Sequence, residues 1–183
     1  VHPSGKTELR FLDSFTAVWY YKGNVRDAVL RLKFHGRTDL AAPLGRRLAM
    51  RVVQDHPEGF DEITWVPVSS LRRFRRGYDQ ARLLAEAVGG ELGMKPRKLL
   101  KKRRHNRPQS SLTSEERRGN VLGVYEISPN CLVKGKRILL IDDVFTTGAT
   151  AEECARVLLT AGAKSVSCGT LAAAQKQPQN EIC

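Results

Sequence analysis

Residues 138–150 read ILLIDDVFTTGAT, and this stretch decides the fold. Its first four residues, 138–141, are all apolar, which predicts a strand buried on both faces, as in a parallel sheet. Two carboxylates, Asp142 and Asp143, follow that strand. Because ligands in open α/β sheets bind at the carboxyl ends of the strands, the two acids mark a candidate ligand site.

A loop rich in threonine follows the acids, and a helical pattern follows the loop. Thr150 and Glu153 have the spacing of a capping box, so we expect the helix to begin near Thr150. Backbone amides at a helix N-terminus are unpaired and the helix dipole favours an anion there, while Thr146 and Thr147 add hydroxyl donors. The stretch therefore suits a ligand whose hydroxyl groups bind the carboxylates and whose phosphate binds the loop.

Two other interpretations of the acidic pair stay open at this point. The carboxylates could be solvated residues at the end of a strand. They could also form the acidic pocket of a receiver domain, which likewise lies at a strand end. A receiver domain needs most of its sheet after that strand, however, and only 40 of the 183 residues follow Asp143. The phosphate-binding interpretation is therefore favoured.

The composition is typical of a single globular domain. With 183 residues, of which 41% are hydrophobic, the chain can bury a sizeable core. No apolar run approaches the ~18 residues of a membrane span and no signal segment is found, so we expect a cytoplasmic protein without a membrane partner. The cysteines form no C-x-x-C pair, so neither a zinc site nor a redox motif is indicated. They are Cys131, Cys154, Cys168 and Cys183.

The chain is strongly basic, with 31 Lys and Arg against 19 Asp and Glu and a net charge of +12. This excess implies an anionic partner, which is either a polyphosphate substrate or a nucleic acid. Residues 72–76 hold four of the basic residues and residues 97–107 hold seven, so together they could follow a nucleic-acid backbone. Only Phe74 and Tyr78 are available there for base stacking, and charge alone does not choose between the two partners.

Hydrophobic periodicity places strands and helices along the rest of the chain. From Ile63 onward strands alternate with helices, which predicts an α/β domain built on a parallel sheet. The polar, highly charged segment at 101–109 is expected to be a long mobile loop. The other predicted elements are strands at 15–21, 63–68, 95–100, 121–127 and 165–171, and helices at 25–35, 40–55, 79–92 and 114–120.

A set of short segments is shared with a known family. The segments are LKFHG at 32–36, VPV at 66–68, RGYDQA at 76–81, Gln109 with Leu112, ERRGNV at 116–121 and DDVFTTGAT at 142–150. Together they resemble the competence protein F (ComF/GntX) family, a branch of the type I phosphoribosyltransferase superfamily, over roughly residues 18–173. The chain departs from that family at Tyr78, where Phe is usual, and at Asp79, where Asn is usual. It also lacks the four-cysteine zinc ribbon that begins many members, so no zinc is expected.

The resemblance implies a fold and a domain plan. The fold is α/β and type I phosphoribosyltransferase-like, with a central parallel sheet of about five strands flanked by helices and a small N-terminal hood. The chain is expected to form one domain over 1–183, with the hood and N-terminal helices at 14–60 and the core at 61–173.

The resemblance also implies roles for the acids and the loop. In that family the acidic pair holds the ribose hydroxyls of phosphoribosyl pyrophosphate (PRPP), which implies this role for Asp142 and Asp143. The ligand is expected to be PRPP or a related phosphorylated sugar, accompanied by Mg²⁺ near the two acids without a dedicated protein ligand. The residues implied to hold the 5-phosphate are Thr146, Thr147, Gly148, Ala149 and Thr150.

Two more segments are expected to complete the site, the first by meeting the departing pyrophosphate and the second by covering the site against water. The first follows strand 63–68, and its other interpretation is a solvated basic loop. Its candidates are Ser69, Ser70, Arg72, Arg73 and Arg76. The second is the expected lid at 101–113. Its candidates are Arg103, Arg104, Arg107 and Gln109.

Two functions follow from the resemblance. The first is transfer of a phosphoribosyl group from PRPP to a nitrogenous acceptor. The alternative is a non-catalytic accessory protein that binds single-stranded DNA in DNA uptake during competence. Thr146 stands where purine-type relatives often carry an acid, which argues against a 6-oxopurine acceptor. The sequence names neither the acceptor nor the oligomeric state.

Overall fold

The structure of the protein is a computed structural model that describes residues 9–69, 74, 77–103 and 123–174. Within these ranges a four-stranded sheet forms the centre, and helices pack on both of its faces. The elements in chain order are β1 (Ser14–Tyr20), α1 (Gly23–Phe34), a 3-10 turn (Thr38–Leu40), α2 (Ala41–Asp55), β2 (Glu62–Trp65), α3 (Gln80–Leu92), β3 (Leu100–Lys102), β4 (Tyr125–Ile127), β5 (Arg137–Phe145), α4 (Ala149–Thr160) and β6 (Ser165–Ala173).

β5 is an inner strand of the central sheet. The strand order is β1-β6-β5-β2, and Ile141 of β5 lies opposite Gly169 on one side and opposite Trp65 on the other. Each of the three strand pairs is parallel. The carboxyl ends of the strands therefore meet at one edge of the sheet, which confirms the predicted parallel sheet between helices.

Both faces of β5 are covered. Leu139 and Ile141 belong to a core cluster with residues of α1, α2 and α3, whereas Ile138 and Leu140 belong to a second cluster with residues of α4. All four side chains are fully buried. Because successive residues of a strand face opposite sides, burial on both sides requires the continuous apolar run that the sequence shows.

A separate two-stranded sheet takes the place of the fifth strand that we expected. The strand predicted at 95–100 begins only at Leu100, which lies opposite Ile127 in an antiparallel pair of β3 with β4. Leu100 and Tyr125 are buried in the same cluster as α4, so this hairpin packs on the α4 face of the central sheet. Among the described residues the central sheet has four strands.

The N-terminal region contributes both a strand and a loosely embedded helix. β1, which lies in the predicted hood, is an edge strand of the central sheet. Helix α1 buries only Val29 and Leu32. Phe34, an apolar residue of the helix predicted at 25–35, is 59% exposed, whereas the side chain of Lys33 is only 22% exposed. A charged residue thus occupies an inward position at the end of α1.

The described helices are short. The longest, α2, has 15 residues. None of them combines the length and the apolar character needed to cross a lipid bilayer.

Candidate functional site

The two acids lie inside β5 and not beyond its end. The prediction that the strand ends at Ile141 is wrong, because β5 runs to Phe145 and pairs with β6 at Asp142 opposite Thr170 and at Phe145 opposite Ala173. Successive residues of a strand point to opposite faces. The two carboxylates are therefore directed to different sides of the sheet.

Asp143 faces the side that carries α1 and α3. Its side chain is buried, with a residue exposure of 3%. Oδ1 lies 2.8 Å from Nζ of Lys33 in α1, and Oδ2 accepts a hydrogen bond of 3.1 Å from Nε2 of Gln80, the first residue of α3. Both oxygens of this carboxylate therefore have protein partners.

Asp142 faces the α4 side and is only partly buried. Its Oδ1 accepts a hydrogen bond of 2.8 Å from the backbone N–H of Asp143. Burial, and then the negative charge of Asp143, raise the pKa of Asp142 to about 8, while the positive charge of Lys33 acts against this rise. Near neutral pH this carboxyl group can therefore either donate or accept a hydrogen bond.

Asp79 is a third acid near this pair. It precedes α3, and its carboxylate accepts a hydrogen bond of 3.2 Å from the backbone N–H of Arg82, which caps the helix. Burial raises the pKa of Asp79, and the negative charge of Asp79 contributes to the raised pKa of Asp142. Among the described residues, the carboxyl edge of the sheet thus carries three acids with the ammonium group of Lys33 nearby.

The threonine loop leads directly into α4. Thr146 and Thr147 are exposed, and the backbone N–H of Ala149 donates to Oγ1 of Thr147 over 3.4 Å. Gly148 is the N-cap of α4 and has a φ of +77°. The first amides of a helix have no acceptor inside the helix, so the start of α4 offers donors to an anion at this edge of the sheet.

The predicted capping box is wrong. The helix begins at Ala149 with Gly148 as its N-cap, and no side chain caps it. Glu153, the expected capping acid, is buried and engaged elsewhere: Oε1 accepts from the backbone N–H of Gly123 at 2.8 Å, and both oxygens pair with Arg156 at 2.8 Å. Glu153 therefore joins α4 to the chain segment that leads into β4.

Only part of the predicted pyrophosphate site falls within the described residues. Ser69 follows β2 and is buried. It lies at the same edge of the sheet as the acids, because the N–H of Val66 donates to the carbonyl of Ile141 over 2.9 Å. Ser70, Arg72, Arg73 and Arg76 lie outside the described residues.

The predicted lid is also described only at its base. Arg103 is exposed, and its backbone N–H donates to the carbonyl of Val124 over 2.7 Å. Its Nε lies 4.0 Å from Oε2 of Glu126. Arg104, Arg107 and Gln109 lie outside the described residues.

Three residues at the site received no role in the sequence analysis: Lys33, Gln80 and Asp79. Lys33 and Gln80 lie within segments that carry the family resemblance, at 32–36 and 76–81. The sequence offered one indication for Lys33, which directly follows Leu32, a residue that α1 buries. Hydrophobic periodicity favours apolar residues at inward positions, so it cannot predict that Lys33 is buried in an ion pair with Asp143.

A comparison with protein families identifies a match over more than half of the chain. The family described as phosphoribosyl transferase domain matches residues 75–182. This range includes the acids, the threonine loop and α4.

The chain is also similar to curated bacterial proteins. It is 33% identical to the DNA utilization protein YhgH of Salmonella typhi over 143 residues, which cover 75% of this chain and 62% of the relative. It is 31% identical to the competence protein ComFC of Bacillus subtilis, with 85% of this chain and 62% of the relative covered. For the competence protein ComFC of Streptococcus pneumoniae the identity is 34%, with 84% and 65% covered. The chain thus spans less than two thirds of the length of these relatives.

Solved structures with a similar backbone are more distant. A glutamine PRPP amidotransferase from B. subtilis, complexed with ADP and GMP, superposes with a TM-score of 0.49 at 20% identity, covering 76% of this chain and 30% of that chain. The protein TT1426 from Thermus thermophilus superposes with a TM-score of 0.44 at 15% identity, covering 75% and 84%.

Proposed function

We propose that this chain binds PRPP and transfers its phosphoribosyl group to a nitrogenous acceptor. The chain belongs to the phosphoribosyl transferase domain family, in its competence protein F branch. The observation that carries the proposal is the juxtaposition of Asp142, the threonine loop and the start of α4 at the carboxyl edge of the sheet. This edge is where ligands bind in open α/β sheets.

The ribose hydroxyls are assigned to the acidic pair. Asp142 is partly exposed and has a carboxyl group with a raised pKa, so it can exchange hydrogen bonds with hydroxyl groups. Asp143 holds Asp142 through its backbone N–H and is itself fixed by Lys33 and Gln80. Such preorganised groups bind a sugar without the energetic cost of reorienting side chains.

The 5-phosphate is assigned to the loop 146–150. The hydroxyl groups of Thr146 and Thr147 are exposed there, and α4 directs its N-terminal end at the loop. An anion at a helix N-terminus gains about 0.3–1 kcal/mol per favourable charge. The glycine at 148 keeps the backbone of the loop tight, since its φ of +77° disfavours a side chain.

The donor set at this edge fits Mg²⁺ carried by PRPP. Carboxylate oxygens are hard ligands that suit Mg²⁺, which usually binds proteins through one or two carboxylates and takes its other oxygens from phosphates and water. Of the acidic pair, Asp142 is the carboxylate with an exposed part, so it is the residue that would approach the cation. When bound, Mg²⁺ would neutralise negative charge on the pyrophosphate group.

The chemistry required of the protein is mainly positioning. In the proposed transfer, the bond between C1 of the ribose and pyrophosphate breaks, pyrophosphate leaves with the electron pair, and a nitrogen of the acceptor bonds to C1. The acids and the loop hold the ribose at both ends while positive charge develops at C1. The predicted Ser69 contact to pyrophosphate, together with Ser70, Arg72, Arg73 and Arg76, belongs to this proposal.

Calorimetric titration with PRPP, in the presence and absence of Mg²⁺, tests the proposal. We expect saturable binding with one site per chain that is tighter with Mg²⁺, and we expect ribose 5-phosphate to compete because it shares the two groups that the site holds. Release of pyrophosphate upon addition of candidate nitrogenous acceptors then tests transfer. A chain that is folded but gives no PRPP binding under either condition would contradict the proposal.

A second candidate function rests on the relatives and on charge. The relatives are named for DNA utilization and competence, and the chain carries a net charge of +12. Binding of single-stranded DNA by the basic segments is compatible with a PRPP site elsewhere on the same chain. Its salt dependence distinguishes it from the substrate site, as described below.

A further inference from the structure

The carboxylate of Asp143 joins three elements of the fold. It belongs to β5, and its two oxygens contact Lys33 of α1 at 2.8 Å and Gln80 of α3 at 3.1 Å. The residue is 3% exposed. A buried carboxylate without a charged partner is strongly destabilising, so the ammonium group of Lys33 is what allows this acid to stay inside the protein.

We propose that Lys33 is a positioning residue for the sugar-binding acids, a role that rests on the proposed function. Its ammonium group fixes the Asp143 carboxylate on the α1 side of β5. The backbone N–H of Asp143 in turn holds Oδ1 of Asp142 at 2.8 Å. The orientation of the acid assigned to the ribose therefore depends on a residue of α1.

The charge of Lys33 also acts on the acidic pair directly. Burial tends to lower the pKa of Lys33, but the ion pair with Asp143 outweighs this effect and the pKa is raised. Lys33 thus stays positively charged beside the Asp143 carboxylate. Among the described residues, further titratable groups around these three are Tyr21, Asp79, Cys154 and Cys168.

A second attachment of α1 allows the charge effect to be separated from the docking of the helix. The hydroxyl group of Tyr78 donates a hydrogen bond of 2.6 Å to the carbonyl of Leu32. Tyr78→Phe removes this bond and leaves all charges in place. Lys33→Met removes the ammonium group and retains most of the side-chain stem, whereas Lys33→Arg retains the charge.

The experiment is a calorimetric titration of PRPP with Mg²⁺ into wild type and these three variants, with circular dichroism as the check of folding. Groups that hold metal-ligating side chains in place typically change affinity or activity by 10–100-fold, and by analogy we expect Lys33→Met to weaken PRPP binding by about tenfold or more. Lys33→Arg should restore part of the loss, and Tyr78→Phe should bind nearly as well as wild type. Equal losses in Lys33→Met and Tyr78→Phe would assign Lys33 to helix docking alone and overturn the proposal.

A fourth comparison keeps the proposal testable if Lys33→Met folds poorly. Asp143→Asn removes the carboxylate with which Lys33 pairs, and Lys33→Met combined with it leaves neither charge buried alone, so adding Lys33→Met to the Asp143→Asn variant should weaken PRPP binding little further. An undiminished further loss would show that Lys33 does not act through Asp143.

Failure of the proposal is distinguishable from failure of the proposed function. If wild type binds PRPP and Lys33→Met binds it equally well, only the role of Lys33 is overturned. If wild type does not bind PRPP, the proposed function fails and the role of Lys33 fails with it.

Discussion

Asp142 lies within strand β5 and is only partly buried. Burial and the charge of Asp143 raise its pKa to about 8, whereas an aspartate in an unfolded chain titrates near ~3.9. At a pH between these two pKa values, the Asp142 carboxyl group holds a proton in the folded state that it has released in the unfolded state. Stability from this group is therefore fully present below about pH 4 and is lost as the pH rises through about 8.

Asp142→Asn should remove this pH dependence. Asparagine keeps the side-chain oxygen that accepts the N–H of Asp143, and it cannot ionise. The measured quantity is the melting temperature of the variant minus that of wild type at the same pH. We expect this difference to be larger at pH 8.5 than at pH 4 by about 3 °C or more, since 1 kcal/mol shifts the melting temperature of a domain of this size by about 2–4 °C. Thermal unfolding followed by circular dichroism measures this difference.

Asp27→Asn is the matched control, because Asp27 lies in α1 with a side chain that is 60% exposed. Its melting temperature relative to wild type should be nearly independent of pH. A difference between Asp142→Asn and wild type that stays constant from pH 4 to pH 8.5 would show that Asp142 ionises normally.

At the scale of elements, the start of α4 depends on one glycine. Gly148 has a φ of +77°, and a Cβ atom added there would lie 2.6 Å from Cζ of Phe145. Phe145 is itself held by stacking on Phe15, with the ring centroids 4.4 Å apart. The strand end, the loop and the helix start are therefore packed against each other through this residue.

Gly148→Ala should destabilise the protein more than Gly93→Ala does. Both glycines have positive φ, but nothing lies within 4 Å of a Cβ atom at Gly93, so that variant carries only the backbone strain of about 1–2 kcal/mol. The ring of Phe145 adds a steric term at Gly148, for which we expect a further 1–3 kcal/mol, roughly the cost of overpacking. Urea unfolding of the two variants measures the difference, and equal losses of stability would contradict the described packing of the loop.

The core of β5 could be predicted from the sequence, but its length could not. The apolar run at 138–141 identified a doubly buried strand, and β5 does contain it. The strand continues through Asp142 and Asp143 because Lys33 and Gln80 supply partners from elements that are distant in sequence. Carboxylates are rarely buried without such partners, so local patterns favour ending the strand before them.

Local sequence identified the threonine loop and the acids as candidates, whereas it gave no indication that Lys33 and Gln80 contact Asp143. The capping box predicted from the spacing of Thr150 and Glu153 was wrong because Glu153 binds Gly123 and Arg156 instead. Spacing along a helix records what a side chain can reach locally. Such spacing cannot indicate that the tertiary fold brings a competing partner to the same carboxylate.

At the scale of the whole molecule, the chain carries a net charge of +12. In the basic hairpin, which is the pair of strands β3 and β4 together with Arg103, part of the positive charge is compensated by neighbouring side chains. Nζ of Lys101 lies 2.9 Å from Oε1 of Glu126, and Nζ of Lys102 lies 5.5 Å from the ring centroid of Tyr125. Arg103 is 65% exposed. The β3–β4 hairpin therefore still presents positive charge to solvent, and this charge can meet either pyrophosphate or a nucleic-acid backbone.

Single-stranded DNA distinguishes these two partners. If Lys101, Lys102 and Arg103 each neutralise one phosphate, replacing all three by Ala should flatten the slope of log K against log salt by about 2 units, at ~0.7 per contact. PRPP binding should survive, because its 5-phosphate is assigned to the loop 146–150. Fluorescence anisotropy with a labelled oligonucleotide at several salt concentrations measures the slope.

The control for this experiment replaces Lys134 and Lys164, which are exposed and flank β5 at its amino end. That variant should keep the wild-type slope. If wild type does not bind DNA near physiological salt, the basic hairpin serves the substrate site, and the triple variant should instead reduce turnover.

The central claim is that one sugar phosphate site lies at the carboxyl edge of the sheet, and the double variant Asp142→Asn with Asp143→Asn tests it most directly. Calorimetric titration with PRPP and Mg²⁺ should give saturable binding to wild type and no measurable binding to the double variant. Circular dichroism should show the same secondary structure for both proteins. A folded double variant that binds PRPP with the affinity of wild type would contradict the assignment of the ribose to these acids.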